Sequence, residues 1–291
     1  MALEWPNSLY VIYCQGESVL TEKDLIKQIN EAGLANSSLC LHSAYRSFGA
    51  LEEGPQTVIN AFQKSGCTLV CPAFYYESQA FPVKQNYQNN GVDYQAVNEM
   101  RTVSFTGSID QIEACMGVIP KQLLKQEGTL RTYHPSNSFA VLGPDAQALI
   151  ADQSELNVYS IYKNIYQNPR PAYIVLAGVD FTSCTPIHFA EEVAGRRLFR
   201  RWAVSNGQVT ETEEGSCSNG FEKLREQIQN IESVITLGNG EARIYEFHVF
   251  IDAVAKIIVE NPDVTHCEDD NCIRCNDMAL GGRVVEETLL T

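Results

Sequence analysis

The residues best placed to do chemistry are Thr185-Pro186-Ile187-His188-Phe189-Ala190-Glu191-Glu192. An imidazole stands there with two carboxylates three and four residues further on, the spacing that shares one helix face. Thr185 is a predicted N-cap through its hydroxyl. Pro186 suits the first helical position, where a missing N–H costs nothing. His188 then lies in the first turn, at the positive end of the helix. That field favours the neutral imidazole, the form a general base needs. The same octapeptide also fits a helix start with a hydrogen-bonded structural histidine.

Two further histidines sit in polar segments. His42-Ser43-Ala44-Tyr45-Arg46-Ser47 follows the apolar run Ser38–Leu41, and His134 lies within Arg131 to Ser138. In an open α/β sheet, ligands gather at the carboxyl ends of strands. A loop such as Ser43 to Arg46 can also turn successive backbone N–H groups toward an anion. Together these point to a phosphate-bearing ligand beside a base. Competing templates fit less well. Neither a Gly-x-Ser-x-Gly elbow nor a Gly-x-x-x-x-Gly-Lys phosphate loop occurs. A Cys184–His188 nucleophilic pair would need a positive field that lowers the thiol pKa.

The chain has ten cysteines. Cys40, Cys67, Cys71 and Cys115 sit in apolar runs and read as small hydrophobes. His266, Cys267, Cys272 and Cys275 are close enough in sequence to suggest a tetrahedral zinc site. Their spacing is not a clean pair of knuckles, so the expectation is a reduced, packed or redox-sensitive tail without metal.

Composition narrows the functions. The 291 residues carry a formal charge of −15. That argues against nucleic acid and anionic membrane surfaces and is compatible with a cationic substrate. No apolar run approaches the roughly 20 residues of a membrane span. The first residues lack the basic and apolar segments of a secretory signal, so the cytoplasm is the expected compartment.

The elements that must position these residues read as α/β. Leu9–Tyr13 is a predicted strand or extended lead-in. Thr21 caps a helix that Gly33 ends. Strand Ser38–Leu41, a helix from Pro55 and strand Cys67–Cys71 make a βαβ unit, so part of the sheet is parallel. Residues 75–112 lose periodicity and are read as an irregular insertion, either a flap over the substrate or a disordered surface loop. Helices follow from Gly117 and over Asp145–Asp152, and Ala172–Gly178 is the buried strand leading to His188. Arg200–Val204 and Gln208–Glu211 form a hairpin turned at Asn206-Gly207, with Glu213, Glu214 and Cys217 just past it. A helix over Phe221–Ile231, a strand at Val234–Leu237 and a last helix at Val249–Val259 complete the reading. The expectation is one domain over residues 1–291, with a cysteine-bearing tail at 262–291.

Taken in order, these segments resemble the aminoglycoside 3-N-acetyltransferase family, the antibiotic acetyltransferases unrelated in fold to the GNAT superfamily. The likeness rests on His42-Ser43-Ala44-Tyr45-Arg46-Ser47-Phe48-Gly49, Gly54-Pro55-x-Thr57-Val58-Ile59 and Gly66-x-Thr68-Leu69-Val70-x-Pro72. It continues through Met116 to Pro120, Leu130-Arg131-x-x-His134-Pro135-x-x-Ser138-Phe139, Leu142-Gly143-Pro144 and Thr185-x-x-His188-x-Ala190-Glu191. It implies a mixed central sheet flanked by helices and direct transfer of an acetyl group from acetyl-CoA to a cationic amine. Through it, His188 is the general base and Glu213 or Glu214 its carboxylate partner. His42, Ser43, Ala44, Tyr45, Arg46, Ser47, Arg131, His134, Ser138 and Thr185 hold CoA, with backbone N–H groups of Ser43 to Arg46 steadying the oxyanion. Tyr76, Glu77 and Glu191 lie on the substrate side, and Glu191 is left more to fixing the helix than to catalysis. A homodimer is left open. Lys121, Gln153 and Cys184 depart from the family pattern, and a lysine near a polycation site works against an aminoglycoside.

Overall fold

The structure is a computed structural model that describes residues 18–83, 91–97, 99–100 and 102–279. Leu9–Tyr13 falls outside the described residues. The first helix among the described residues is α1 (Glu22–Glu31), whose capping box pairs Thr21 with Asp24. Then come β1 (Ser38–Ser43), α2 (Pro55–Lys64) and β2 (Thr68–Pro72). α3 (Val118–Leu124), β3 (Leu130–Arg131), β4 (Phe139–Leu142) and α4 (Ala146–Leu149) follow the insertion. α5 (Ser160–Gln167) leads into β5 (Ala172–Ala177) and α6 (Pro186–Val193). The remainder is β6 (Phe199–Ser205), β7 (Gln208–Glu214), β8 (Ser233–Leu237), β9 (Gly240–Glu246), α7 (Phe247–Glu260) and α8 (Ile273–Ala279).

Seven strands form a mixed sheet in the order β3-β4-β2-β1-β5-β9-β8. β1 runs parallel to both β2 and β5, as the βαβ reading requires. The flanking pairs are antiparallel. Alternation along the strands splits the core in two. Cys40, Val70, Val141, Ile174 and Leu176 face α5, α6 and α7 and their buried Tyr162, Ile187 and Phe250. Leu39, Leu41, Leu69, Ala140 and Val175 face α1, α2 and α3. Each fully buried large side chain stabilises by about 1.5–3 kcal/mol relative to exposure, so both layers are needed to hold the sheet.

The hairpin β6–β7 turns at Asn206 and Gly207, whose φ of 49° and 78° are those of a tight hairpin turn. It runs further than the sequence suggests, so Glu213 and Glu214 lie within β7 rather than past it. Phe221–Ile231 forms short 3-10 turns, not an α-helix. α5, α8, β3, β4 and β9 were not foreseen. The insertion is irregular but anchored: Ala80 N–H donates to Trp202 O at 2.8 Å and Phe105 N–H to Val204 O at 2.9 Å, both on the hairpin. Among the described residues no helix is long and apolar enough to cross a membrane.

Candidate active site

The carboxyl ends of β1, β2 and β5 open into a cavity of about 700 Å³. Leu41, His42 and Ser43 from β1 and Pro72 from β2 line its floor. The insertion contributes Phe74, Tyr76 and Gln79, and β7 and its continuation contribute Glu214 to Asn219. The segment leading from β5 into α6 brings Cys184, Thr185 and His188.

His188 is held on every side. Pro186 starts α6 as expected, but Thr185 is itself helical and makes no side-chain cap bond. The predicted threonine cap is therefore absent. The imidazole stacks on Tyr159 with ring centroids 5.7 Å apart and planes 11° from parallel. Phe221 meets it edge-on at 5.0 Å. Its Nδ1 lies 2.8 Å from Glu191 Oε2. No hydrogen bond to a described residue takes up Nε2, on a ring that lines the cavity. Gly215 passes so close that a Cβ there would stand 2.5 Å from His188 Cγ and 2.6 Å from the Tyr159 hydroxyl.

Glu191 is fully buried and has three partners. Besides His188 it accepts from Ser216 Oγ at 2.7 and 2.8 Å and from Arg196 Nη1 at 2.6 Å. Burial alone would raise its pKa, but His188, Arg196 and Ser216 outweigh that and hold the carboxyl below its ordinary value. A carboxylate so fixed orients the ring and favours the tautomer with the proton on Nδ1, leaving Nε2 to accept.

This corrects the expected partner. Glu213 does not meet His188: it pairs with Arg200 Nη1 at 3.3 Å and is not among the cavity-lining residues. Alternation along β7 sends it to the opposite side from Glu214. Burial raises the Glu213 pKa to about 7. Glu214 does face the cavity, 3.1 Å from Gln79 Nε2 and 3.9 Å from Arg201 Nε. It makes no bond to His188 and lies in the cavity wall.

The cofactor-side residues divide. His42, Ser43 and Thr185 line the cavity. His42 is buried, its Nε2 has no partner among the described residues, and loss of solvent lowers its pKa to about 3. Tyr45, Arg46 and Ser47 form a 3-10 turn. Of the backbone donors of Ser43 to Arg46 expected there, Ala44 N–H is already bonded to Ala177 O at 2.9 Å. Arg131, His134 and Ser138 are not at the cavity. Arg131 donates to Ala73 O at 2.9 Å and to Ser138 Oγ at 3.0 Å. Ser138 in turn donates to Ala73 O at 2.7 Å. His134 is fully buried between Asn137 N–H and Glu155 O. The polar atoms of these three are taken up by internal carbonyls, amides and one another.

On the substrate side Tyr76 lines the cavity, whereas Glu77 does not; its carboxylate accepts from the Tyr75 hydroxyl at 3.2 Å. Lys121 follows the cavity residue Pro120 but is not among the lining groups. Gln153 donates to Val158 O at 3.0 Å, bracing the backbone next to Tyr159. Cys184 is buried in apolar surroundings that push its thiol far up, and His188 gives its Nδ1 bond to Glu191. That removes the Cys–His hydrolase reading. Sequence reasoning missed Tyr159, Gly215 and Ser216. Only Gly215, a lone glycine after a strand, left a signal.

Known proteins resemble this chain in sequence and in fold. The aminoglycoside N(3)-acetyltransferase IV of Salmonella sp is 26% identical over 176 residues, which span 59% of this chain and 58% of that protein. The chain thus matches under two thirds of that relative's length. The crystal structure of aminoglycoside acetyltransferase AAC(3)-IVa, apoenzyme, superposes with a TM-score of 0.69 at 20% identity, covering 89% of this chain and 96% of that one. The structure of AAC-IIIb in a binary complex with CoASH gives 0.67 at 19% identity, covering 84% and 97%. These two establish the fold. The model of the aminoglycoside 3-N-acetyltransferase family matches residues 40–258, a span that holds both His188 and Glu191. The chain therefore belongs to the aminoglycoside 3-N-acetyltransferase family.

Proposed function

We propose that this protein transfers the acetyl group of acetyl-CoA to a cationic amine, an aminoglycoside or a similar compound, with His188 as general base. The observation that carries this reading is the buried Glu191–His188 pair at 2.8 Å on the wall of a cavity at the strand ends. An amine cationic at neutral pH must first release one proton to solvent before it can attack. Nε2 of His188 takes a second proton from the nitrogen as it attacks the thioester carbonyl. Collapse of the tetrahedral adduct breaks the C–S bond and expels CoA as a thiolate, which takes the proton from the His188 imidazolium and leaves an amide and free CoA. The imidazolium formed on the way is stabilised by Glu191, which stays ionised. Glu214, in the cavity wall, attracts the ammonium form of the substrate.

Membership of the family supports the activity, and the CoASH complex of AAC-IIIb supports CoA as the co-substrate. His42 and Ser43 at the end of β1 are the groups offered to the thioester end of CoA. The donors of Arg131 and His134 are occupied and are not invoked. The test is steady release of CoA thiol from acetyl-CoA across a panel of aminoglycosides, polyamines and simple primary amines. Sustained turnover with a cationic member is expected. CoA binding without turnover on any amine would leave a binding protein and end the enzymatic reading.

A further inference from the structure

Four cysteines outside the proposed catalytic groups converge on one point. Cys217 follows β7, and Cys267, Cys272 and Cys275 lie on the turn before α8 and on α8 itself. Their sulfurs all lie within 4.8 Å of one another. All four are free thiols, and Cys217, Cys267 and Cys275 are buried. They form a cluster of their own, apart from the two large cores. Cys40 and Cys71, by contrast, are ordinary core residues of strands.

We propose that Cys217, Cys267, Cys272 and Cys275 bind one zinc ion as a structural tetrathiolate site, tying the segment after β7 to the C-terminal helix. Tetrahedral Zn–S bonds of about 2.3 Å place sulfurs about 3.8 Å apart, so a small contraction of this cluster completes the site. Four sulfur donors with no oxygen or nitrogen select a borderline-soft ion and leave no open position for catalysis. Cys267 N–H already donates to Cys275 Sγ at 3.3 Å, the kind of bond that supports a metal-bound thiolate. His266, the histidine that sequence spacing offers beside the three tail cysteines, is held away by Cys267 O at 2.9 Å and Asn276 Oδ1 at 2.8 Å. The fourth ligand is instead Cys217, distant in sequence.

The site has a consequence for the cavity. Cys217 follows Gly215 and Ser216, the residues against His188 and Glu191. Arg274, between Cys272 and Cys275 in sequence, donates to Gly215 O at 3.3 Å and Ser216 O at 3.1 Å. Zinc would fix both ends of this contact and so keep the Glu191 clamp in place.

The test uses full-length untagged protein prepared under reducing conditions with zinc present. Metal analysis is expected to find one zinc per chain, and Cys217→Ser to lower that occupancy. Because that variant can fail to fold, wild-type protein loaded with cobalt supplies a second reading. Intense near-ultraviolet thiolate charge-transfer bands and tetrahedral visible bands are expected. Zinc removal is expected to speed amide exchange in residues 215–219. Zinc far below one per chain together with a cobalt spectrum lacking thiolate bands would overturn the site. Full zinc occupancy in folded Cys217→Ser would overturn the four-cysteine assignment, and unchanged exchange at 215–219 would overturn the tie. None of these readings depends on acetyl transfer, so failure of the catalytic proposal leaves them distinguishable.

Discussion

At the scale of residues, the central distinction is between two carboxylates. Glu191 is buried against His188, whereas Glu213 is paired with Arg200. Glu191→Gln keeps the shape but exchanges a fixed anion for an amide that no longer stabilises the imidazolium. Turnover is expected to fall on the order of 10²-fold, with acetyl-CoA affinity unchanged. Glu213→Gln is expected to leave turnover within about twofold, since it breaks nothing at the base. Parallel kinetics of the two variants check both statements. Glu213 should instead report on stability. Its pKa is raised from 4.5 to about 7 in the folded chain, so folding favours the protonated form. The stability it contributes is complete below its unfolded pKa and is lost as pH rises through about 7. Melting curves of Glu213→Gln against wild type should show the variant gaining more at about pH 8 than at about pH 5.

At the scale of elements, the surroundings of the proposed base are assembled by three pieces that meet only in the fold. α6 supplies His188 and Glu191, the turn before α5 supplies Tyr159, and the continuation of β7 supplies Gly215 and Ser216. Gly215→Ala would drive a methyl group into the imidazole. A loss of turnover of at least about 10-fold is expected, because misplacing a catalytic group by about 1 Å costs up to 10²-fold. Circular dichroism would establish that the variant remains folded while the kinetics are compared. The sequence made α6 readable through Pro186 and the apolar strand before it. It also made the βαβ unit and the Asn206-Gly207 hairpin readable, because turn chemistry and periodicity are local. α5 was not readable. Tyr159 offers no side-chain cap bond and the helix is only eight residues long, too short for periodicity to decide. β9 was hidden because its alternation starts at Gly240, directly after the turn at Gly238. The choice between Glu191 and Glu213 was equally hidden. It depends on which face of β7 turns toward α6, a matter of tertiary packing.

At the scale of the whole molecule, the two-layered core places one end of the sheet under a cavity lined from several parts of the chain. Its shape was legible as an α/β sheet with strand-end chemistry. The cysteine cluster was legible only in part, since Cys217 joins it through the fold. The charge of −15 bears on substrate choice. A field of that sign attracts a polycation and repels CoA, and salt screens both within about 10 Å at 0.1 M. The KM for a cationic amine is therefore expected to rise with added salt, while that for acetyl-CoA stays level or falls. Steady-state kinetics over a salt series check the opposed trends. All of this converges on the base. The most direct measurement is the turnover of His188→Ala with acetyl-CoA and the best amine of the panel, beside CoA binding by calorimetry. Turnover about 10²–10⁴-fold below wild type with CoA affinity intact is the expected result. Near-wild-type turnover in that variant would contradict the assignment of His188.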